Sequence, residues 1–327
     1  MWTAMNKTVS SKQVKVQSSK DRAEEQRNVD RDPFTVSRTT VTGNLTTVIC
    51  CSVFCLLLIG CGIKHATLSD AHLSAVKLNQ MAESSFKNRD YENALRFYNE
   101  ALNINRSIEN IDGIAINIIN IAATYRKLGD KDNAHKQIDE ILNASPIAYN
   151  SMHMLEAAFL KAMLYFDEKN YDKTLEWTDR ALSFCQSQQC SNMGKVYNLK
   201  GRAYLEKGNI ASAISYGNKG LELNRSHENK QEEANSLRIL AEARLIKGEY
   251  DKAKRLYEDA LSIDKTLGLS KKIAQDLMGM GNVFLKQGNC ESAAAYFKRA
   301  LSVSEASADK AVASNIKALM EGCMKKK

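Results

Sequence analysis

Residues 246–261 read IKGEYDKAKRLYEDAL. Gly248 and Glu249 stand where one helix would stop and another begin. After them Ala253, Tyr257, Ala260 and Leu261 fall on one stripe of a helix. The pattern returns in both directions. It reads KNRDYENALRFYNEAL at 87–102, KLGDKDNAHKQIDEIL at 127–142, DEKNYDKTLEWTDRAL at 167–182, EKGNIASAISYGNKGL at 206–221 and KQGNCESAAAYFKRAL at 286–301. The closing leucines are Leu102, Leu142, Leu182, Leu221, Leu261 and Leu301, with separations of 40, 40, 39, 40 and 40 residues. A fixed interval of this length marks a stacked array of supersecondary units.

Small residues keep the same interval. Ala82, Ala122, Ala162, Gly201, Ala241 and Gly281 lie in the first half of each unit, and Ala94, Ala134, Thr174, Ala213, Ala253 and Ala293 open the second. Such positions let paired helices approach closely, with Tyr125, Tyr165, Tyr204 and Phe284 filling the space beside them. Gly129, Gly208, Gly248 and Gly288 supply the turns. The composition agrees: 44% apolar residues, 7% aromatics and only two prolines, Pro33 and Pro146. No alternating Val/Ile/Thr run signals a strand.

The pattern resembles the tetratricopeptide-repeat (TPR) family, most fully at Gly248, Tyr250, Ala253, Tyr257 and Ala260. The resemblance covers residues 74–306 and implies an all-α superhelical solenoid of six helix-turn-helix units. The family's usual unit has about 34 residues, so each unit here carries a surplus. It falls between units, in segments such as NRSIENIDGIA and NRSHENKQEEA, and calls for longer helices or longer loops. The long period is similar to TPR variants found in peptide receptors and light-chain adaptors. HEAT and armadillo arrays share the period but lack the Gly-Asp/Asn/Glu turn. Residues 307–327 read as a capping helix with a basic tail, the polar end a solenoid needs.

Residues 1–60 read as an N-terminal extension and signal segment, and 61–73 as a linker. Residues 39–63 hold no charge, and the apolar part from Val48 to Ile63 suits the core of a secretory signal better than a membrane span. Leu58-Ile59-Gly60-Cys61 closes it and resembles a bacterial lipobox, which implies lipidation of Cys61. The long stretch before it suggests a start at Val36 or Val41, the former keeping Arg38 as the positive flank. The family's sorting rule, with Gly62 rather than aspartate after the cysteine, implies the outer membrane facing the periplasm. The alternative is a single N-terminal span.

Of the eight cysteines, Cys50, Cys51 and Cys55 would be removed and Cys61 would carry lipid, which leaves Cys185, Cys190, Cys290 and Cys323 to pair. Cys185 and Cys190 flank one loop and could clip it. Cys290 and Cys323 lie at matching heights on two antiparallel helices and are expected to pair.

No catalytic constellation emerges. His65, His72, His135, His153 and His227 never pair at helical metal spacing, and Gly279-Met280-Gly281 falls mid-helix rather than in a nucleotide loop. The chain calls for no metal or cofactor and reads as a non-enzyme. Of the net charge of +8, residues 1–60 contribute eight Lys/Arg against five Asp/Glu, or +3. The remaining +5 is interspersed with acids, which argues against nucleic acid as a partner.

The resemblance implies that the first helices line a concave groove. Its positions map onto Ile116, Ile119, Phe159, Met163 and Phe166, which are apolar, and onto Lys195, Asn198, Arg202, Asn235, Arg238, Gln275 and Asn282, which are polar. The first set would bury apolar side chains of a peptide or helix. The second would bond its backbone, with Arg202 and Arg238 meeting a carboxylate. The expected function is a lipid-anchored protein-binding scaffold in envelope assembly. A peptide-sensing receptor and an accessory subunit of an enzyme complex are the alternatives.

Overall fold

The computed structural model describes residues 69–143, 147–185 and 192–324, with side chains to 321. All of these fall in one compact unit, Thr67–Lys327. The uncharged segment, Cys61 and Cys190 lie outside the described residues.

Thirteen helices and no strand occupy the described residues. In chain order they are α1 (Asp70–Lys87), α2 (Tyr91–Ser107), α3 (Ile111–Leu128), α4 (Lys131–Leu142), α5 (Ser151–Asp167), α6 (Tyr171–Ser183), α7 (Met193–Glu206), α8 (Ile210–Ser226), α9 (Lys230–Ile246), α10 (Tyr250–Thr266), α11 (Ser270–Lys286), α12 (Cys290–Ala306) and α13 (Lys310–Met324). Helices α1 to α12 form six hairpins, and α13 packs on α12 as the cap. The first helix begins at Asp70, four residues before the expected repeat boundary at 74. None of these helices is long and apolar enough to cross a membrane.

Local chemistry sets the helix starts. Asp90, Asp130, Asn170, Asn209 and Asn289 each accept a hydrogen bond from a backbone N–H three residues on, opening the second helix of a hairpin. Asn110, Asn150 and Asn229 do the same for first helices.

The surplus of the long period goes into helix. Most helices run 17 or 18 residues, and tight left-handed turns at Glu109 (φ 52°), Glu228 (54°), Gly268 (67°) and Ala308 (54°) join the units. Units two and three differ, ending in the shorter α4 (12 residues) and α6 (13 residues). Within hairpins the left-handed residue is Gly129, Gly208, Gly248 or Gly288, but Arg89 and Lys169 take it in units one and three.

Ala82, Ala94, Ala122, Ala134, Ala162, Ala213, Ala241, Ala253 and Ala293 have no exposed surface. They sit where paired helices touch. First helices of successive units also meet one another: α3 with α5, α5 with α7, α7 with α9, α9 with α11 and α11 with α13. That row forms the concave wall.

The unit interfaces hold an unexpected polar feature. Asn105 donates to Asn117 Oδ1 (2.7 Å), and Asn117 donates to Asn79. At the equivalent places three units on, Asn224 donates to Ser236 (3.1 Å) and Ser236 to Asn198 (2.6 Å). One unit further, Arg238 donates to Asp264 and to Asp276 (3.1 Å). The three trios occupy the same niche, between neighbouring first helices and the end of the intervening second helix. Their members are satisfied mainly by one another, as buried polar groups must be.

The cysteine expectations divide. Cys185 is disulfide-bonded; its expected partner Cys190 lies outside the described residues. Cys290 carries a free thiol, so the expected Cys290–Cys323 pair is not formed. Matching heights fix a level along two helices but not the rotation of each. Cys290 turns into the cluster around Phe297 and Leu285.

Candidate functional site

A cleft of about 160 Å³ opens on the concave wall across α5, α7, α9 and α11. Eight of the expected groove residues line it: Phe159, Met163, Lys195, Asn198, Arg202, Asn235, Arg238 and Gln275. Ile116 instead faces a separate, largely apolar cavity of about 700 Å³ beside Val76, Phe86 and Tyr98. Ile119 packs against the first-half core, and Phe166 stacks edge-on against Tyr171 at 5.5 Å. Asn282 is half-buried and lines neither space. The apolar set therefore does not form one continuous strip.

Several polar residues in the cleft have structural partners. Lys195 Nζ is clamped by both oxygens of Glu156 at 2.7 Å. Asn198 donates to the Glu232 carboxylate at 2.8 Å and to its backbone carbonyl at 2.9 Å. Arg238 is the largest departure from expectation. It is 6% exposed, and its guanidinium is held by Asp264, Asp276 and Asn235 Oδ1. A guanidinium so engaged is an internal cross-link and cannot also meet a ligand carboxylate. The sequence pattern gave its position correctly but could not show the two aspartates, which lie 26 and 38 residues away.

Two cations lining the cleft, Arg202 and Lys272, make no salt bridge among the described residues, although Glu242 lies near the first and Asp264 and Glu232 near the second. Arg202 is exposed, its guanidinium 5.3 Å from the centre of the Phe166 ring. Lys272 was missed by sequence reasoning. It lies within the cleft and donates to Asn235 Oδ1 at 3.1 Å. Burial, with Arg238 and Arg202 nearby, pushes its ammonium down to about 8. Glu232 and Glu242 stand on the same wall. The arrangement offers an apolar seat, free and shared amides and two cations. It holds no nucleophile paired to a base. Among the described residues no group of His, Cys, Asp or Glu is arranged to hold a metal.

Two family models, both described as "Tetratricopeptide repeat", match the chain, one over residues 73–146 and 230–306 and the other over 194–227. A search of the curated proteins gave no match. Among solved structures, the Rap protein complexed with competence and sporulation factor superposes with TM-score 0.57 at 16% identity, over 77% of this chain and 71% of that one. PilF of Pseudomonas aeruginosa gives 0.51 at 15%, over 76% and 99%. BtubC (BKLC) of P. vanneervenii gives 0.53 at 17%, over 73% and 92%. At these identities the likeness is one of fold. The period in the sequence, the stacked hairpins and the two matches agree, and the chain is a tetratricopeptide-repeat protein.

Proposed function

We propose that this protein is a scaffold that holds a segment of another protein along its concave wall. The observation that carries this is the cleft across α5, α7, α9 and α11, where Phe159 and Met163 face amide and charged groups. A concave cleft that sets a small apolar seat among amide and charged groups suits a peptide segment. The Rap likeness supports a second reading, a sensor, because that structure is a complex with competence and sporulation factor. A sensor would change the pitch of its solenoid on binding, whereas an adaptor would not need to.

A random linear-peptide library panned on the full-length chain is expected to yield binders. Met163→Trp or Gln275→Trp, each filling the cleft, should weaken them about tenfold or more. Binders indifferent to both substitutions would put the binding face elsewhere.

The setting we propose is the bacterial envelope, with Cys61 lipidated and the repeats facing the periplasm, in assembly of an envelope complex. The support is the uncharged segment ending in Leu58-Ile59-Gly60-Cys61. Cells given labelled palmitate are expected to label the wild type and not Cys61→Ser. Equal labelling of the two, or none of either, would remove the lipid anchor and leave the single-span alternative.

A further inference from the structure

The joints between units are built in two ways. At three of them polar side chains interlock: Asn79, Asn105 and Asn117 between units one and two, Asn198, Asn224 and Ser236 between units four and five, and Arg238, Asp264 and Asp276 between units five and six. At the two joints flanking unit three the same places are apolar. Ile119 and Ala157 stand there between units two and three, and Phe159, Phe184 and Val196 between units three and four. We propose that unit three, α5 with α6, is a pivot on which the solenoid bends, while units one and two and units four to six move as rigid halves.

The second helices at these two joints end early. Helices α4 and α6 have 12 and 13 residues, against 17 in α2, α8, α10 and α12. The missing turn is about 6–8 Å of helix. In the longer helices that turn carries the buried Asn105, Asn224 and Asp264. A single buried lysine crosses each short joint instead. Lys161 of α5 donates to both oxygens of Asp139 on α4 (2.8 and 2.9 Å), and Lys200 of α7 donates to Asp179 on α6. The equivalents of these lysines in units two, five and six are Ile121, Leu240 and Met280. The buried lysine therefore appears where the trio does not.

The two designs differ in stiffness. Short amides, hydroxyls and carboxylates, or the planar fork of Arg238, bond only within narrow limits of distance and angle. Shifting such a joint would leave buried polar groups unpaired, which is costly. A lysine ammonium has three rotatable donors on a flexible four-carbon stem, so it can follow a moving aspartate. The apolar contacts around it are non-directional and permit small sliding of packed helices. Partly exposed ion pairs such as Arg126–Asp167 and Lys195–Glu156 also span these joints, and pairs of that kind restrain weakly.

The cleft straddles the pivot. Phe159 and Met163 belong to α5, whereas Lys195, Asn235 and Gln275 belong to the half that follows. Bending at unit three moves the apolar seat against the polar wall. The pivot is a property of the chain alone and needs no ligand.

Lys136, Ser215 and Ala295 occupy one repeat position on α4, α8 and α12, and all three are exposed. Lys136 and Ser215 are separated by the two joints of unit three, and Ser215 and Ala295 by two joints that carry trios. Nitroxides are attached in these two pairs through p-acetylphenylalanine in the full-length chain, and distance distributions are read by double electron–electron resonance. The Lys136–Ser215 distribution is expected to be at least about twice as wide as the Ser215–Ala295 one, because sliding is confined to the first pair's joints. The apolar variant Asn198→Leu, Asn224→Leu, Ser236→Ala removes one trio and is expected to widen Ser215–Ala295. Equal widths for the two pairs in the wild type would overturn the pivot. So would a Ser215–Ala295 distribution that the apolar variant leaves unchanged. Asp132, Ala211 and Glu291 are a second exposed, matched set, used if labels at the first lower the far-UV dichroism. If the apolar variant loses helix content, the two wild-type widths decide alone.

Discussion

Arg238→Ala is expected to destabilise units five and six by about 3–5 kcal/mol, the usual loss when one partner of a buried ion pair is removed. The guanidinium is the cationic partner of two aspartates that both have no exposed surface. One oxygen of Asp264 already lacks a hydrogen-bond partner, so no spare donor stands by to replace the arginine. The loss should appear as a lower denaturant midpoint, with early hydrogen exchange in α9, α10 and α11. The triple variant Arg238→Met, Asp264→Leu, Asp276→Leu is expected to recover most of the stability, since an apolar trio of similar volume avoids the desolvation of three charges. A loss below about 1 kcal/mol for the single variant would mean that the trio is wet or loosely formed.

The same trio gives the protein an unusual pH dependence. Two carboxylates meet one guanidinium, and burial with Asp264 beside it raises Asp276 to about 7, against the pull of Arg238. An unfolded aspartate releases its proton near 4. The native state therefore binds the extra proton between these values. Its stabilising contribution is complete below the unfolded value and lost as pH rises through about 7. Stability measured from pH 5 to pH 8 is expected to fall for the wild type and to be flatter for Asp276→Asn.

Phe297→Ala is expected to cost about 3–5 kcal/mol. Phe297 has no exposed surface and is among the largest fully buried side chains. Its ring fills the place of a missing side chain: a Cβ on Gly281 would come within 2.5 Å of the ring. Truncating the ring leaves a cavity that neither α11 nor α12 can close without unpacking the cap, since Ile316 of α13 belongs to the same cluster. In a linear array the damage stays with nearest neighbours. Exchange should quicken in α11, α12 and α13 while α1 to α5 hold their protection. Uniform loss across all units would show that the stack unfolds as one cooperative block.

The hairpins were legible because their determinants are local. The small residues, the turn glycines and the capping Asp or Asn repeat at one interval, and each acts within a few residues of itself. The joints between units were not legible. Whether the surplus residues were helix or loop depended on left-handed turns at Glu109, Glu228 and Ala308, where neither the residue type nor a short window signals the conformation. Only Gly268 announces it. Tertiary packing imposes the turn at the others.

The site was half legible for a similar reason. Which residues face inward follows from the period, and eight of the twelve groove positions share the cleft. Which cations are free depends on partners far away in sequence, such as Asp276 for Arg238. Lys272 escaped because its equivalents in the preceding units are Glu232, Asn192 and His153, which show no common chemistry. The trios did leave a signal: Asn79, Asn198 and Arg238 sit at one repeat position, with Asn105, Asn224 and Asp264 at another.

The most direct measurement of the central claim is hydrogen exchange of the full-length chain with and without a panned peptide. Slowed exchange in α5, α7, α9 and α11, with α6, α8, α10 and α12 unchanged, is the predicted result. Protection confined to the second helices, or spread evenly over the whole stack, would contradict binding on the concave wall.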